Sequence, residues 1–257
     1  MEISAVIVTL NDEKRLEPAL RSLEGAVSEI VVLDGGSADG TAKLARKFTP
    51  RVLERAASDP AGQRNCAAGQ ASFPWVLALD ADERLSPELR EEILKLRRTE
   101  PDCAGFAVPR HTSYLGRWVR HSGWAPDRPV RLFRRDRGRW EGDALGTRFV
   151  PDGPVESLRS PLHRFPFATV GEHAARVNKV SGLEAQRLYA AGRKSHWAGL
   201  VARPTLRCLK TYLLELGCLD GFPGLVISVL DGYGGFLRSA KLRSIWKKGE
   251  HIEPFPD

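Results

Sequence analysis

Three nearly uninterrupted apolar runs in the first eighty residues constrain this chain more than any other feature. Residues 3–9, 29–34 and 75–79 are rich in β-branched and apolar side chains with little polar alternation, the pattern of strands buried on both faces. Between them lie helix signals: a segment with Pro18 in its first turn, a stretch over 41–48 that Ser37 or Asp39 can cap, and another over 63–71. A shorter strand over 51–54 makes four, and Ser86-Pro87 starts a helix reaching about Arg98. Such alternation predicts an α/β fold, a mostly parallel, Rossmann-like sheet flanked by helices. Ligands of these sheets sit beyond the carboxyl ends of the strands. The polar clusters at 9–13, 34–37 and 80–83 are therefore expected to converge on one crevice.

The second half changes character. Residues 105–159 are rich in Arg, Gly, Pro and Trp, with strand-like pieces at 106–108 and 130–133, and read as the far edge of the sheet plus long loops. Thr169-Val170-Gly171-Glu172 is a capping box opening a helix to about residue 191. Two further helices, 200–216 and 225–242, are split by residues 217–224. The chain thus divides into a sheet domain, 1–165, and a C-terminal helical extension, 166–257.

At 257 residues the chain is long enough to bury a core without disulfide or metal support. Cys66, Cys103, Cys208 and Cys218 form no C-x-x-C pair, which argues against a zinc ribbon or thioredoxin-type site and fits a reducing compartment. The formal charge of +7 attracts nucleic acid, anionic lipid or a phosphorylated substrate without choosing among them. No basic region precedes the first apolar run, so no signal peptide is expected. The longest apolar stretch, 222–237, is interrupted by Asp231 and several glycines and is too short to span a bilayer. Neither G-x-G-x-x-G nor G-x-x-x-x-G-K-[ST] occurs, which counts against a Rossmann dehydrogenase and a P-loop ATPase.

Asp80-Ala81-Asp82 places two carboxylates one residue apart just past a strand end, where both can face a divalent cation carried by a diphosphate. The same residues would serve as a solvated turn leading into the next helix. Asp34 ends the second strand, where an acid accepts hydrogen bonds from a sugar or base; a turn-forming Asp before Gly-Gly would look alike.

The segment Val6-Ile7-Val8-Thr9-Leu10-Asn11-Asp12-Glu13, with Leu33-Asp34-Gly35-Gly36-Ser37-Ala38-Asp39-Gly40-Thr41, Gln63-Arg64-Asn65 and Leu79-Asp80-Ala81-Asp82-Glu83, resembles family 2 glycosyltransferases in order and spacing. Trp118-Val119-Arg120-His121-Ser122-Gly123-Trp124-Ala125-Pro126-Asp127, Arg131-Leu132-Phe133-Arg134-Arg135, Ser160-Pro161-Leu162-His163 and Leu219-Asp220-Gly221 resemble one branch, the lipopolysaccharide-core β-1,4-glucosyltransferase-like enzymes. The sequence departs from that branch at Gly146-Thr147, where a His and an acidic residue are expected.

The resemblance implies a GT-A fold and an inverting transfer of a sugar, glucose from UDP-glucose, onto a lipopolysaccharide-core or related glycan or glycolipid acceptor. Residues 1–100 would form the nucleotide-sugar half and 101–165 the acceptor-side half. Asn11, Glu13 and Asp34 would hold uracil and ribose, with Thr9 lining the pocket through its backbone. Arg64 would approach the nucleotide, and Asp80 and Asp82 would meet Mg²⁺ or Mn²⁺. His163 is a candidate third metal ligand, or else a packing residue; His111, His121, His173, His196 and His251 show no metal-type spacing. The attacking hydroxyl needs a carboxylate base. Asp127 is the first choice, since burial beside Trp124 would raise its pKa toward neutrality; an Asx turn is its plainer role. Glu141 and Asp143 are the alternatives. Trp118, Trp124 and Trp140 would stack on acceptor sugars or else fill the core.

Two other classes compete. A metal-dependent nucleotidyltransferase would need a Gly/Lys phosphate loop, whereas residues 9–13 offer acids and an Asn. A nucleic-acid-binding protein would account for the charge, but the acidic crevice opposes it, and no nucleic-acid partner is expected. Residues 206–214 and 236–248 mix apolar and cationic side chains at near-helical spacing, which suits either peripheral contact with an anionic membrane or a solvated helical pair. The expected location is cytoplasmic, at most peripheral on the inner face of the cytoplasmic membrane.

Overall fold

The first apolar run forms strand β1 (Ile3–Thr9), buried along nearly its whole length. Its alternating side chains serve two cores, as the pleat requires. In the computed structural model, which describes residues 1–56, 59–195 and 197–248, the chain divides into two compact units. One comprises Met1–His111 and Asp127–Phe165, the other Thr112–Pro126 and the chain from Pro166 onward. His196 and His251 lie outside the described residues.

After β1 the first unit continues with α1 (Glu13–Leu23), β2 (Glu29–Asp34), α2 (Thr41–Ala45), β3 (Val52–Glu54), α3 (Pro60–Gly69), β4 (Trp75–Asp80), β5 (Glu83–Leu85), α4 (Pro87–Leu96) and β6 (Gly105–Ala107). β7 (Arg110–Tyr114) then leads out of the first unit and β8 (Arg117–Val119) belongs to the second. The first resumes with β9 (Val130–Arg134), the hairpin β10 (Gly138–Asp143) and β11 (Gly146–Pro151), β12 (Val155–Ser157) and β13 (Leu162–Arg164). Helix α1 starts at Glu13, so Pro18 falls in its interior rather than its first turn. Pro60 opens α3, three residues ahead of the expected start. Ser86 Oγ accepts from Leu89 N at 3.0 Å and fixes the start of α4 as expected.

The main sheet runs β12-β6-β9-β4-β1-β2-β3. β1 is parallel to β2 and β4, β2 to β3, and β12 to β6, while β9 alone runs antiparallel between β4 and β6. Ile3, Ala5 and Ile7 pack with Leu16, Leu20 and Leu89 of α1 and α4. On the other face Val6, Val76 and Ala78 pack with Ala67 of α3 and with Phe133, Trp140 and Phe149. The register sets Thr9 beside Asp34 and Val8 beside Asp80, which brings the polar ends of three strands to one edge.

The second unit is built on α5 (Val170–Ala190), α6 (Trp197–Leu209) and α7 (Phe222–Lys248), with a π turn at Lys210–Leu214 and a 3-10 turn at Gly217–Asp220. Thr169 caps α5 through Glu172 N at 3.1 Å, and Glu172 Oε2 accepts from Ala168 N at 3.0 Å, as the capping box requires. Helix α7 lies close on α6: a Cβ at Gly232 would come within 2.9 Å of Pro204 O. The carboxylate of Asp220 collects the backbone N–H groups of Arg120 and His121, each at 3.0 Å, and Ser122 Oγ at 2.7 Å. It also meets His121 Nδ1 at 3.2 Å. Leu219-Asp220-Gly221 is thereby an anchor for the 120–122 loop. Of the three candidate stacking indoles, Trp140 is buried in the core, Trp124 packs with Tyr114, Phe167 and His173, and Trp118 is exposed.

Candidate active site at the carboxyl ends of the sheet

The end of β1 and the loop after β2 are tied together by the residues singled out from sequence. Asn11 takes a left-handed backbone (φ 54°), a conformation Asn tolerates better than most residues. Its N–H donates to Ser37 Oγ and its Oδ1 accepts from Ala38 N, both at 2.8 Å. Glu13 Oε2 accepts from Gly40 N at 3.2 Å, and a Cβ at Gly40 would collide with that carboxylate. Thr9 O accepts from Gly35 N at 2.8 Å. Asp34 is buried, and its Oδ2 accepts from Gly36 N at 3.1 Å and Ser37 N at 2.8 Å, with Ser37 Oγ on Oδ1. In this structure Asp34 is thus a turn-former at the carboxyl end of β2. Thr9, Asn11, Glu13 and Asp34 are brought together.

Past β4 the chemistry is ionic. Asp80 Oδ1 accepts from Arg64 Nη2, and Oδ2 from Arg131 Nη2 at 2.7 Å. The same Arg131 nitrogen reaches Glu83 Oε1 at 2.6 Å, which also accepts from Arg110 Nη1 at 2.8 Å. Glu83 is 0% exposed and Arg131 4%. Burial would raise the Asp80 pKa, but Arg131 and Arg64 outweigh it and hold the carboxyl well below the usual range. Burial likewise opposes charge on Arg131, yet Glu83 and Asp80 reverse that and raise its pKa. Arg64 lies over the Trp140 ring, 4.7 Å from its centroid. Its neighbour Asn65 grips the Trp140 backbone with two hydrogen bonds, 2.9 and 2.8 Å.

Asp82 differs from Asp80. Arg164 Nε donates to its Oδ2 at 3.1 Å, but its Oδ1 is buried with no hydrogen-bond partner. Burial pushes its pKa up; Arg164 pulls it down, and the charges of Asp80 and Glu83 add to the rise. The structure does not bring His163 to this pair. It stands opposite Arg84 on β5, next in sequence to the Arg164 that serves Asp82, and its charged neighbours are His111, Glu88 and Arg84. Adjacent residues of a strand point to opposite faces, which separates His163 from the aspartates. Among the described residues no three His, Cys, Asp or Glu side chains form a metal-binding group.

What meets the Asp127 carboxylate is Arg110, whose Nε donates to Oδ2 at 2.7 Å, with Nη2 on the same oxygen. An ion pair therefore replaces the expected indole setting. Through Arg110, Asp127 joins the network of Glu83, Arg131 and Asp80. Glu141 and Asp143 are not brought there: they lie on the β10–β11 hairpin, Glu141 paired with exposed Arg139 at 2.7 Å and Asp143 folded onto Leu145 N at 2.9 Å. Sequence reasoning gave no role in the site to Arg131, Arg110 or Arg164, and gave Glu83 only that of an acid favouring the dipole of the next helix. The one available signal was Arg131 itself, a cation inside the apolar run Val130-Arg131-Leu132-Phe133.

A mostly parallel sheet carrying acids at the carboxyl ends of β1, β2 and β4 is the arrangement of a GT-A fold. The fold is shared with the mannosyltransferase PcManGT from Pyrobaculum calidifontis, solved in complex with GDP-Man and Mn²⁺, at TM-score 0.54 and 15% identity over 96% of this chain and 88% of that one. The model of the family "Glycosyl transferase family 2" matches residues 4–150. The lipopolysaccharide core biosynthesis glycosyltransferase LpsC of Rhizobium meliloti is 31% identical over 250 residues, 94% of this chain and 92% of its own length. An uncharacterized glycosyltransferase of Rickettsia typhi is 24% identical over 262 residues, 98% of this chain and 90% of its own. The chain belongs to glycosyltransferase family 2. Membership decides for the glycosyltransferase among the three classes weighed from sequence.

Proposed function

We propose that this glycosyltransferase moves glucose from UDP-glucose, with inversion, onto a lipopolysaccharide-core or related glycolipid acceptor at the inner face of the cytoplasmic membrane. The observation that carries the donor side is the buried, unpartnered Asp82 Oδ1 beside a cluster of arginines. An orphaned buried carboxylate oxygen fits a hard cation. Mg²⁺ and Mn²⁺ sites commonly take one or two carboxylates and complete the shell with substrate phosphates. Asp82 would hold the ion through Oδ1, while Asp80, with both oxygens on arginines, acts as a charge anchor. This revises the set read from sequence, in which Asp80, Asp82 and His163 all ligate. When bound, the ion offsets the charge that develops on the leaving diphosphate. Arg64 and Arg164 add fixed positive charge there without reorganisation. Asn11, Glu13 and Asp34 hold the loop against which uracil and ribose would rest.

Inversion asks for one base on the acceptor side. Asp127 supports that role, because Arg110 holds only its Oδ2 and Oδ1 has no partner among the described residues. That free oxygen can take the proton of the attacking hydroxyl while the ion pair fixes its direction. The lipopolysaccharide-core acceptor rests on the likeness to LpsC, whose name places it in lipopolysaccharide core biosynthesis, and the glucose donor on the sequence's resemblance to the β-1,4-glucosyltransferase-like branch. A donor panel tests the reading: release of the nucleoside diphosphate, UDP from UDP-glucose and UDP-GlcNAc and GDP from GDP-mannose, with and without Mn²⁺. UDP-glucose should be turned over fastest and only with the ion. Faster turnover of another donor moves the donor assignment, and metal-independent turnover removes the cation from Asp82.

A further inference from the structure

The second unit exposes an unusual amount of apolar surface at one place. Leu213, Leu214, Leu216, Leu219, Phe222 and Leu225 are all exposed, Leu214 by 78%, Leu219 by 65% and Phe222 by 64%. Surface hydrophobics are normally scattered singly, and a contiguous group marks an interaction site. This tip is built rather than loose. Thr211 Oγ1 donates to Asp231 Oδ2 at 3.0 Å, and Glu215 O accepts from Ser122 N at 2.8 Å. Asp220 fixes the neighbouring 120–122 loop. Leu216 takes a left-handed backbone (φ 56°, ψ 30°), where glycine is usual and a bulky residue is strained. The strain is retained at a position that sets a leucine out toward solvent. Trp118, on β8 of the same unit, is exposed as well.

Charge narrows the partner. Within residues 112–126 and 199–236 every exposed charged residue is a cation: Arg117, Arg120, Arg203, Arg207 and Lys210. The acids of those stretches are turned inward or paired, Glu215 with Lys210 at 2.9 Å, Asp231 with Arg207 at 3.6 Å, and Asp220 buried. A second copy of the chain meeting this face by two-fold symmetry would oppose like charges. An anionic bilayer offers acyl chains to the leucines and headgroup phosphates to the cations. Among the described residues no helix is long and apolar enough to cross a membrane, so the contact is one of surface insertion.

We propose that the 213–225 tip docks the enzyme on an anionic membrane, its leucines and Phe222 entering the acyl boundary and Arg117, Arg120 and Arg203 lying among the headgroups. This sharpens the expectation drawn from the two mixed segments. The first, 206–214, belongs to the tip. The second, 236–248, is largely accounted for by packing, since Leu242 and Ile245 are buried with Ala185 of α5.

Co-sedimentation of the full chain with vesicles tests the proposal independently of any sugar transfer. At low salt the protein should sediment with phosphatidylglycerol vesicles and not with phosphatidylcholine, and added NaCl should release it. Leu214→Asp with Leu219→Asp should lower the bound fraction ten-fold or more, and Arg117→Ala and Arg203→Ala about five-fold each. All four changes lie on exposed side chains, so an unchanged thermal melt checks the fold. Absence of wild-type binding to phosphatidylglycerol at low salt overturns the proposal, as does equal binding to phosphatidylcholine. Dimerisation without vesicles that the two Asp changes abolish, with no vesicle binding, overturns it by assigning the face to a second copy.

Discussion

Arg131→Met probes the ionic network directly. In the folded chain Arg131 Nη2 makes two charge-assisted hydrogen bonds, 2.7 Å to Asp80 and 2.6 Å to Glu83. Bonds of this kind contribute about 1.5–3 kcal/mol each, so their loss costs about 3–6 kcal/mol. Two facts pull the net toward the lower end. Asp80 keeps Arg64 and Glu83 keeps Arg110, so neither acid is stranded. Arg131 Nε is itself buried without a partner, and removing it relieves a desolvation penalty of about 1–3 kcal/mol. The expected loss is about 3 kcal/mol, matching the bottom of the range for breaking a buried ion pair. With a urea m-value of about 2–3 kcal/mol/M, the midpoint should fall by roughly 1–1.5 M at constant m, followed by far-UV circular dichroism. Arg131→Lys keeps the charge but not the fork and should recover less than half of the loss. A midpoint shift below about 0.3 M for Arg131→Met would show that the network contributes little to the fold, and the reasoning fails.

Three further outcomes are expected. Asp127→Asn should lower kcat by about 10²–10⁴-fold with donor KM nearly unchanged; if Glu141→Gln or Asp143→Asn does this instead, the base lies on the β10–β11 hairpin. His163→Ala should leave the Mn²⁺ concentration needed for half-maximal transfer within about two-fold of wild type, whereas losing a ligand would raise it by about ten-fold or more. Burial would raise the Asp220 pKa, but hydrogen bonds from Arg120, Ser122 and His121 outweigh it and hold the carboxyl below its usual value. A depressed folded pKa contributes stability that is present above the unfolded value of about 4 and lost as pH falls through the folded one. The stability gap between wild type and Asp220→Asn, measured by urea unfolding, should therefore be full at pH 6 and shrink below about pH 4; a gap that widens in acid would reverse the sign.

What was legible in the sequence follows the range of the interactions. β1, β2 and β4 announce themselves because burial on both faces demands uninterrupted apolar residues. Asp34 is legible as a turn-former because its partners, Gly36 and Ser37, lie two and three residues away. Glu83 reads from sequence as a helix-dipole acid, yet its partners Arg110 and Arg131 lie 27 and 48 residues away. No local spacing encodes such a pairing, and the reversed direction of β9 that delivers Arg131 to Asp80 is equally invisible. The same limit explains Asp80 and Asp82. One residue apart in sequence, they differ because Arg64 and Arg131 arrive from α3 and β9 to neutralise only the first. The exposed leucines after α6 carry a periodicity that suits packing as well as a membrane, and only the fold shows which residues stay uncovered.

The central claim is that Asp82 holds the cation through which sugar transfer from a nucleotide donor proceeds. Its most direct test is the rate of UDP release from UDP-glucose onto a lipopolysaccharide-core acceptor with Mn²⁺, wild type against Asp82→Ala, both shown folded by circular dichroism. Less than a tenth of the wild-type kcat is expected, a rise of more than about 1.4 kcal/mol in the barrier. Retention of more than a tenth in the folded variant would contradict the claim.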